Sequence, residues 1–470
     1  MAIIIKQKPA YLTFPVGQEV IFSVYNHNIV TTKTNVKYIA SVYIDENPIG
    51  TGTTGSAFVG TFKTTPNGAG YGMFDLSSII ESYVNADNMA NISSNYKGVF
   101  IGTNNPTPLH LVDEYSRNKN IIRYLGVVFR TEYLDTSQTP PVVVLANSFA
   151  VADEMKIWNG YLKETDAINT FNGNFGYRPD RFFLSPEVSE GDVPARWLTN
   201  APDDRYALYT DYGVASLMSF PNDGVSLGKI KLTYTEYDGT TSSETVDNLY
   251  NKGGMGPYVS NSDWNILHFG CYPANIRAWS TTFKALVAAK TLASYTVQGQ
   301  TDAGVNITFP FTVNILCPNQ KGYEPIRLTW LNQWGTWDYY TFNMKSSKSI
   351  STKGSTYEQL GGTWNESTYK PNSYKGGKKS FRVNATEKVI MNTDFVNESE
   401  SEWFEELINS PEIYILNGFK TDNPGSALTT YVIPVRLNTS SYTRKTVAND
   451  KLMQYTFEVE KSKTLRTQAV

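Results

Sequence analysis

The sequence predicts a mainly β protein, built from several β-sandwich, Ig-like domains with a few short helices. Three observations lead to this fold class. Short segments in which apolar and polar residues alternate recur along the chain, Asn-Gly and Asp-Gly turn signals separate some of them, and aromatic residues make up 13% of the composition. With 470 residues, the chain is long enough for roughly three domains that each bury a core.

The first predicted domain covers residues 1–160 and alternates strands with turns. Asp75 is the expected N-cap of one helix over Leu76–Val84, in which Ile79, Ile80 and Tyr83 share a face. Short strands around a single helix are typical of an Ig-like or related β-sandwich. The expected strands are Ala2–Lys6, Gln18–Tyr25, Val36–Ile44, Ala57–Lys63, Ile121–Tyr133 and Val142–Ala150.

The second predicted domain, residues 161–318, contains the clearest hairpin of the chain. Lys229–Tyr237 alternates apolar and polar residues, Asp238-Gly239 forms the turn, and Thr240–Val246 returns. Ser280–Ala293 fits either a helix or a strand. A further strand, Ile307–Leu316, precedes a boundary at Cys317-Pro318.

The third predicted domain, residues 319–470, begins with an aromatic hairpin over Ile326–Met344. Large residues occupy alternate positions on both sides of a turn at 332–335, which is the period of a half-buried strand. Ser399 and Glu402 form a capping-box pattern at the start of an amphipathic helix. The alternating hairpin residues are Leu328, Trp330, Trp337 and Tyr339, the apolar helix face is Trp403, Phe404, Leu407 and Ile408, and the later strands are Glu412–Leu416, Thr430–Leu437 and Gln454–Val459.

Bulk charge and cysteine content exclude several classes of function. A net charge of −3 excludes a globally basic nucleic-acid binder. Two cysteines, Cys271 and Cys317, cannot build a disulfide framework, so we expect two buried free thiols. No stretch approaches the roughly 20 apolar residues of a membrane helix, and the N-terminus lacks a signal-peptide core. We therefore expect synthesis in a reducing cytoplasm and no membrane segment.

Residues suited to reaction chemistry are few. Gly224-Val-Ser226-Leu-Gly228 matches a serine hydrolase elbow, but the elbow needs a following helix and a hairpin follows here. The three histidines lack metal-binding spacing, and His268 is expected to be a satisfied core side chain. A carboxylate pair for glycoside cleavage stays open, with Asp338 as the first candidate. We expect no catalytic residues, no metal and no cofactor.

A basic stretch between Lys345 and Arg382 stands out from this balanced chain. It holds eight cationic residues against Glu358 and Glu366, a local excess of six positive charges. One interpretation is a solvated basic loop or long hairpin; the other is a surface that meets an acidic partner subunit or, without sequence preference, DNA. The candidate contact residues are Lys345, Lys348, Lys353, Lys370, Lys375, Lys378, Lys379 and Arg382.

Several phrases of the sequence resemble virion structural proteins of tailed bacteriophages that infect Bacteroidetes, especially the crAss-like phages. The phrases, spread over most of the chain, are Phe74-Asp-Leu-Ser-Ser-Ile-Ile-Glu81, Arg327-Leu-Thr-Trp-Leu-Asn332, Trp337-Asp-Tyr-Tyr-Thr-Phe342, Trp403-Phe-Glu-Glu-Leu-Ile-Asn-Ser-Pro-Glu-Ile-Tyr414 and Ile433-Pro-Val-Arg436. Each is structural, and none marks a catalytic site.

The resemblance implies a tail-hub, ring or connector subunit of β-sandwich domains without cofactors. Its expected partners are copies of itself in a ring, other tail or neck proteins, and DNA passing through the lumen during genome ejection. The expected location is the virion. Two alternatives remain: a receptor- or glycan-binding tail-fibre or adhesin module, which the absence of repeats disfavours, and a tail-associated polysaccharide depolymerase.

Overall fold

The structure, a computed structural model, describes residues 2–9, 13–46, 49, 57–85, 121–161, 183–184, 195–219, 227–247, 266–316, 322–364, 366–418, 431–439, 442–443 and 453–465. The protein is mainly β, with several antiparallel and mixed sheets, which confirms the predicted fold class. The chain forms two compact units: Met1–Leu316 with Leu331–Asp338, and Cys317–Trp330 with Tyr339–Val470.

The elements up to residue 316 are seventeen strands and four helices among the described residues. The strands are β1 Ile4–Gln7, β2 Thr13–Gly17, β3 Ile21–Tyr25, β4 Thr34–Asp45, β5 Phe58–Thr64, β6 Tyr71–Asp75, β7 Ile122–Asp135, β8 Val142–Val151, β9 Met155–Tyr161, β10 Phe183–Leu184, β11 Asp204–Ala207, β12 Val214–Ser219, β13 Lys229–Glu236, β14 Thr241–Asp247, β15 Ile266–Gly270, β16 Leu292–Gln300 and β17 Phe311–Ile315. The helices are α1 His27–Thr32, α2 Ser77–Glu81, α3 Pro273–Trp279 and α4 Thr281–Ala289.

The first two sheets form a sandwich within residues 4–161. A three-stranded sheet, β1-β3-β6, faces a six-stranded sheet, β2-β9-β7-β4-β5, in which β8 also pairs with β7. The rings of Phe22 and Phe74 from the smaller sheet lie 5.4 and 5.6 Å from the ring of Phe129 in β7. Burial of the large aromatic and aliphatic side chains between these faces supplies most of the stabilisation.

Two further sheets pack in the same way within residues 183–316. The sheet β11-β17-β16-β13-β14 is mixed, since β11 runs parallel to β17, and the other sheet has the order β10-β12-β15. Trp197 lies between them, with its ring edge-on to Phe269 at 6.3 Å and to Phe311 at 5.4 Å. The buried indole N–H donates to the Phe309 carbonyl at 2.8 Å, so its polar atom is satisfied.

The described residues after 316 form one seven-stranded sheet and one helix. The sheet order is β19-β18-β22-β23-β24-β21-β20, from β18 Ile326–Leu331, β19 Trp337–Phe342, β20 Ser346–Gln359, β21 Gly377–Asn392, β22 Ile413–Leu416, β23 Val432–Leu437 and β24 Thr456–Lys461. The helix is α5 Glu398–Asn409.

Helix α5 packs its aromatic face on this sheet. Phe404 is fully buried, and its ring lies 4.9 Å from Tyr340 in β19 and 5.5 Å from Phe457 in β24. Trp403 lies 4.8 Å from Trp330 in β18. The second unit therefore has a sheet-and-helix core.

Most predicted elements are present with boundaries shifted by a few residues, among them the β13–β14 hairpin, the aromatic hairpin β18–β19 and the amphipathic helix α5. The ambiguous segment beginning at Ser280 forms α4. Its N-cap is Ser280, whose hydroxyl accepts from the Phe283 N–H at 2.9 Å.

Two predicted helix starts are wrong in detail. Helix α2 covers only Ser77–Glu81, and Asp75 lies one residue before its N-cap, where it accepts from the Ser77 N–H at 3.0 Å. The α5 capping box is formed by Asn397 and Glu400, two residues before the predicted pair. Both boxes are possible from residue types alone, and the backbone adopts the earlier one because Asn is also a strong N-cap.

The prediction of half-buried strands in the aromatic hairpin is also wrong. Every residue of β18 is buried, including Arg327 and Thr329 between the apolar positions. Arg327 Nη1 donates to Thr341 Oγ1 at 2.8 Å, and its guanidinium lies 5.1 Å from the Tyr339 ring centroid. A cross-strand contact therefore holds Arg327 inside the core, whereas the buried Thr329 hydroxyl makes no hydrogen bond among the described residues.

Cys271 is a buried free thiol, as predicted, and its Sγ donates to the Phe269 carbonyl at 3.1 Å. Cys317 lies outside the described residues. No helix in the described ranges is long and apolar enough to cross a membrane.

Candidate functional site

The candidate site is a long β-hairpin, Ser346–Asn392, which we call the arm. Strands β20 and β21 pair along their whole length, from Ser346 opposite Met391 to Gln359 opposite Gly377, and residues 360–376 connect them. Every side chain from Ser347 to Glu358 is exposed, so both faces of β20 are open to solvent. The basic stretch therefore forms a long hairpin, as the solvated loop-or-hairpin interpretation allows. Its contact with a partner subunit or with DNA stays a prediction.

The arm is anchored to the sheet only at its base. β21 pairs with β24 over Lys388–Asn392, and one further bridge joins Ala385 to Leu465. Beyond this bridge, the described residues offer no third strand to the ribbon. The seven residues of β20 beyond this bridge, Lys353 to Gln359, would span about 23 Å at the usual rise of a strand.

Among the described residues, two ion pairs between β21 and β24 reinforce the base of the arm: Lys461 Nζ lies 2.8 Å from Glu387 Oε2, and Lys388 pairs with Glu458. Lys388 Nζ lies 2.8 Å from Glu458 Oε1 across the β21–β24 pairing. The hydrogen bond and charge of the partner raise the pKa of Lys388 and lower the pKa of Glu458. Both side chains are about one-third exposed, so solvent screens the attraction and the pair mainly fixes geometry.

The two faces of the ribbon differ in chemistry. Residues opposite each other in register share a face, and so do alternate residues of one strand. Lys353, Arg382 (opposite Ser355) and Lys379 (opposite Tyr357) therefore lie on one cationic face. Ile350 and Val383 lie on the other face, which continues the face of buried Val389 and Met391 beyond the sheet.

Most cations of the arm lack an internal acidic partner. Lys348 pairs with Glu324 at 2.8 Å, whereas Lys379 Nζ donates to a backbone carbonyl, that of Tyr374, at 2.8 Å. Arg382 Nε donates to Asn384 Oδ1 at 3.2 Å. Among the described atoms, no acceptor lies within bonding distance of the ammonium groups of Lys345, Lys353, Lys370 and Lys378, which leaves their charge open to a partner.

The described connecting residues, 360–364 and 366–376, form a hydrogen-bonded tip. The Thr363 hydroxyl donates to the Thr368 carbonyl and accepts from the Lys370 N–H, both at 2.8 Å. Gly362 has φ +69°, and a Cβ there would overlap the Tyr369 ring, so the chain turns tightly against that ring. This turn sets the Trp364 and Tyr369 rings edge to face, with centroids 6.1 Å apart.

Large apolar side chains on the arm remain exposed. Trp364 is 65%, Tyr374 71%, Phe381 57% and Ile350 63% exposed, and Leu360 and Tyr369 are similar. The sequence analysis emphasised the lysines and missed these residues as site candidates. The sequence could have identified them, because these aromatic residues lie in a segment rich in Gly, Ser and Lys. No helical or strand periodicity there places them on a buried face.

Other candidates from the sequence lie elsewhere. Asp338 is only 3% exposed and accepts from the Thr199 hydroxyl at 2.6 Å, which leaves substrate no access to it in this conformation. His268 Nδ1 is 2.8 Å from Ser216 Oγ across β12 and β15. Gly224 and Ser226 of the elbow lie outside the described residues. Within the described part of the chain, no group of three or more His, Cys, Asp or Glu could hold a metal ion.

No family model matches this chain, and no curated protein matches it significantly. Among solved structures, E. coli alpha-2-macroglobulin aligns with 83% of this chain at 8% identity, with a TM-score of 0.17. The chain spans only 22% of that structure's length. A TM-score this low says nothing about fold or function.

Proposed function

We propose that this chain is a non-enzymatic structural subunit of a tailed-phage virion, which assembles in several copies as a tail-hub, ring or connector component. Its task is to build the layer around the tail axis that supports genome ejection. The observation that carries the assembly role is the arm, whose two faces are both uncovered in a single chain.

An arm of this kind is more stable with a partner than without one. An isolated two-stranded hairpin is marginally stable in water, because neither face buries enough apolar surface. Trp364, Tyr369, Tyr374 and Phe381 together expose on the order of 500 Å², given the usual area of an aromatic side chain. This is a large part of the roughly 800 Å² that one partner buries in a stable interface.

Strand β8 in the first unit offers a second surface of the same character. It is an edge strand of the six-stranded sheet, and Val143, Leu145 and Phe149 on its outward face are 59%, 44% and 55% exposed. A long apolar edge strand tends to pair or pack with another chain. A subunit in a closed ring needs two different contact surfaces, since its contacts are head to tail.

The virion context of the proposal comes from the sequence. The phrases that resemble crAss-like phage proteins include α5 from Trp403 onward and most of the β18–β19 hairpin, and both supply buried side chains to the sheet-and-helix core. The proposal therefore joins a sequence resemblance to a surface suited to assembly.

A second candidate function has one specific observation in its favour. The hydrogen-bonded tip sets Trp364 and Tyr369 edge to face, and exposed aromatic rings of this kind also bind the apolar faces of sugars. A receptor- or glycan-binding tail protein would use the tip for that purpose.

The mass of the purified full-length chain separates these functions. Sedimentation velocity and native mass spectrometry across a concentration series should give a closed assembly of several copies if the chain is a ring or hub subunit. A trimer that binds host glycan through Trp364 would favour the fibre alternative. A stable monomer that cleaves capsular polysaccharide would contradict both structural functions.

A further inference from the structure

We infer that strand β20 of the arm pairs, as an added strand, with the free edge of β8 in a neighbouring copy. The inference rests on the proposed function, since it names the contact that joins one subunit to the next. It goes further by assigning which backbone edge receives the arm and how the two strands associate.

Strand β8 lacks the usual protection of an edge strand. Proteins protect a long edge with charged residues or proline, because its unpaired N–H and C=O groups can bind another strand. Among the described edge strands of more than five residues, β5, β14, β19 and β20 each carry at least one charged residue. Val142–Val151 has neither a charged residue nor a proline. We therefore expect β8 to be covered by a strand of another chain.

The backbone of β8 has hydrogen-bonding groups that point away from β7. The Ala152 N–H donates to the Val127 carbonyl at 2.9 Å, and Val151 lies opposite Val128. Hydrogen-bonded and non-hydrogen-bonded pairs alternate along an antiparallel ladder, so Val151 and Phe149 direct their N–H and C=O groups to the free edge. The described part of the chain supplies no strand on that side of β8. These groups are available to an added strand.

The arm supplies a second free edge of sufficient length. β20 is the last strand of the seven-stranded sheet and pairs with β21 alone among the described strands, so one edge of its 14 residues is open. The bulge of the arm lies in β21 at Phe381, and β20 itself is regular. An added strand binds chiefly through main-chain hydrogen bonds, which suits β20, since half of its residues are Ser or Thr.

The exposed apolar side chains of the chain are concentrated on these two elements. Of the 25 large apolar side chains that are exposed among the described residues, five lie on β8 and eight on the arm. Side chains on the same face of adjacent strands pack against each other. Pairing of β20 with β8 therefore brings the two groups together in one kind of interface, repeated in every copy.

The two possible self-pairings are less favourable than this contact. Two arms repel each other, because each carries an excess of six positive charges over residues 345–382. Two β8 strands would meet at irregular centres, because residues 146–148 form a bulge in which three residues lie opposite Thr131 alone. Pairing of β20 with β8 avoids both costs and joins two different surfaces, as a head-to-tail contact requires.

A proline at the edge of β8 tests the pairing in the full-length chain. Val151→Pro removes an N–H that makes no bond with β7, whereas Val151→Ala shortens the side chain and keeps that N–H. Both variants should fold, since proline is tolerated where the N–H faces away from the sheet. We expect Val151→Pro to associate at least about tenfold more weakly than Val151→Ala, because the facing carbonyl loses its donor. Sedimentation velocity over a concentration series measures association, and urea unfolding monitors folding.

A lysine variant tests the same edge without a change of the backbone. Val143→Lys with Leu145→Lys gives β8 the charges that other edge strands carry, and these charges repel the cations of the arm. We expect association to weaken by at least about tenfold. The matched control is Thr241→Lys with Ser243→Lys, at two exposed positions of the edge strand β14, which makes the same change in net charge and should leave association unchanged.

Cross-linking locates the two strands directly. In a Cys317→Ser background, a Leu145→Cys chain mixed with an Ile350→Cys chain should form a covalent pair with a short bismaleimide. A Ser243→Cys chain in place of the Leu145→Cys chain should form none. A Leu145→Cys chain that cross-links to itself, and not to the Ile350→Cys chain, would show self-pairing of β8 and overturn the inference.

The outcomes separate the inference from the proposed function. If the unmodified chain stays monomeric at all concentrations, the proposed function fails. If it assembles, and both the proline and the lysine variant assemble as their controls do, the pairing of β20 with β8 is wrong while the assembly role stands.

Discussion

Phe404 is buried in the core and Phe381 is exposed on the arm, so truncation of each to Ala should affect different properties. Phe404→Ala should weaken folding, and Phe381→Ala should weaken association between copies. Phe404 in α5 is fully buried and lies 4.9 Å from Tyr340 and 5.5 Å from Phe457. Phe404→Ala removes buried apolar surface and leaves a cavity in a core of rings. We expect it to lower the free energy of unfolding by about 3–5 kcal/mol, a large fraction of the stability of an ordinary domain.

Phe381→Ala should leave the folded chain almost unchanged. The side chain is 57% exposed and projects from the bulge of β21. The change in unfolding free energy should stay within about 0.5 kcal/mol. In the assembly, the exposed part, about 115 Å² for a ring of ordinary size, becomes available for burial. At about 25 cal/mol per Å², that area is worth at most about 3 kcal/mol of association, or roughly 100-fold in Kd.

Two measurements on the same pair of variants check this contrast. Urea titration followed by tryptophan fluorescence gives the change in unfolding, and a sedimentation concentration series gives the change in association. Phe395→Ala is a control for exposure alone, because Phe395 is 56% exposed but lies outside the arm. Our reasoning is refuted if Phe381→Ala destabilises the monomer as much as Phe404→Ala does, or if it weakens association no more than Phe395→Ala.

Further predictions concern single buried positions. Gly335 has φ +73° and a Cβ there would overlap the carbonyl oxygen of Asn159, so Gly335→Ala should destabilise the first unit by more than about 2 kcal/mol in urea titrations; an unchanged midpoint would exclude this turn geometry. Burial raises the pKa of the Cys271 thiol to about 12, so in a Cys317→Ser chain a disulfide reagent at pH 8 should react only as fast as the protein unfolds; rapid reaction under native conditions would show an accessible thiol. Burial also raises the pKa of Glu400 above its ordinary 4.5, so ionisation costs more in the folded chain and stability falls as pH rises from 4.5 through the raised value. Glu400→Gln should remove that loss, and a stability difference between variant and parent that stays constant with pH would contradict it.

The sequence was sufficient for the elements with clear periodicity. The β13–β14 hairpin follows from alternating residues around Asp238-Gly239, and α5 follows from the apolar positions around Trp403 and Phe404. In these segments, local pattern and tertiary packing favour the same structure, so a single sequence is enough.

Strands β2, β6 and β9 were missed, and each contains a residue that normally breaks a strand. β2 holds Pro15 and Gly17, β6 holds Gly72, and β9 holds Gly160. In the fold, an aromatic ring packs over each glycine: a Cβ would overlap Tyr161 at the first, Tyr38 at the second and Trp158 at the third. At Gly17 and Gly72 the missing side chain makes room for a ring distant in the sequence, which local pattern cannot show, whereas at Gly160 the ring belongs to the same strand.

The sequence predicts the charge of the candidate site but not the arrangement of its two faces. The lysines of the arm are visible as a charge excess over 345–382, because net charge needs no structure. The sequence does not show that the ribbon is amphipathic. The face on which Lys353, Arg382 and Ile350 lie depends on the 14-residue pairing of β20 with β21, which has a bulge between Ser355 and Thr356. A one-residue change of register would exchange the cationic and apolar faces.

Removal of the arm tests most directly whether it joins copies of this chain. Residues 350–387 can be replaced by Asn-Gly, a two-residue hairpin turn, which keeps Ser346–Ser349 paired with Lys388–Met391. Sedimentation and native mass spectrometry should then give a monomer with an unchanged urea midpoint, whereas the full-length chain forms a closed assembly of several copies. An armless chain that assembles to the same copy number as the full-length chain would contradict a role for the arm in assembly.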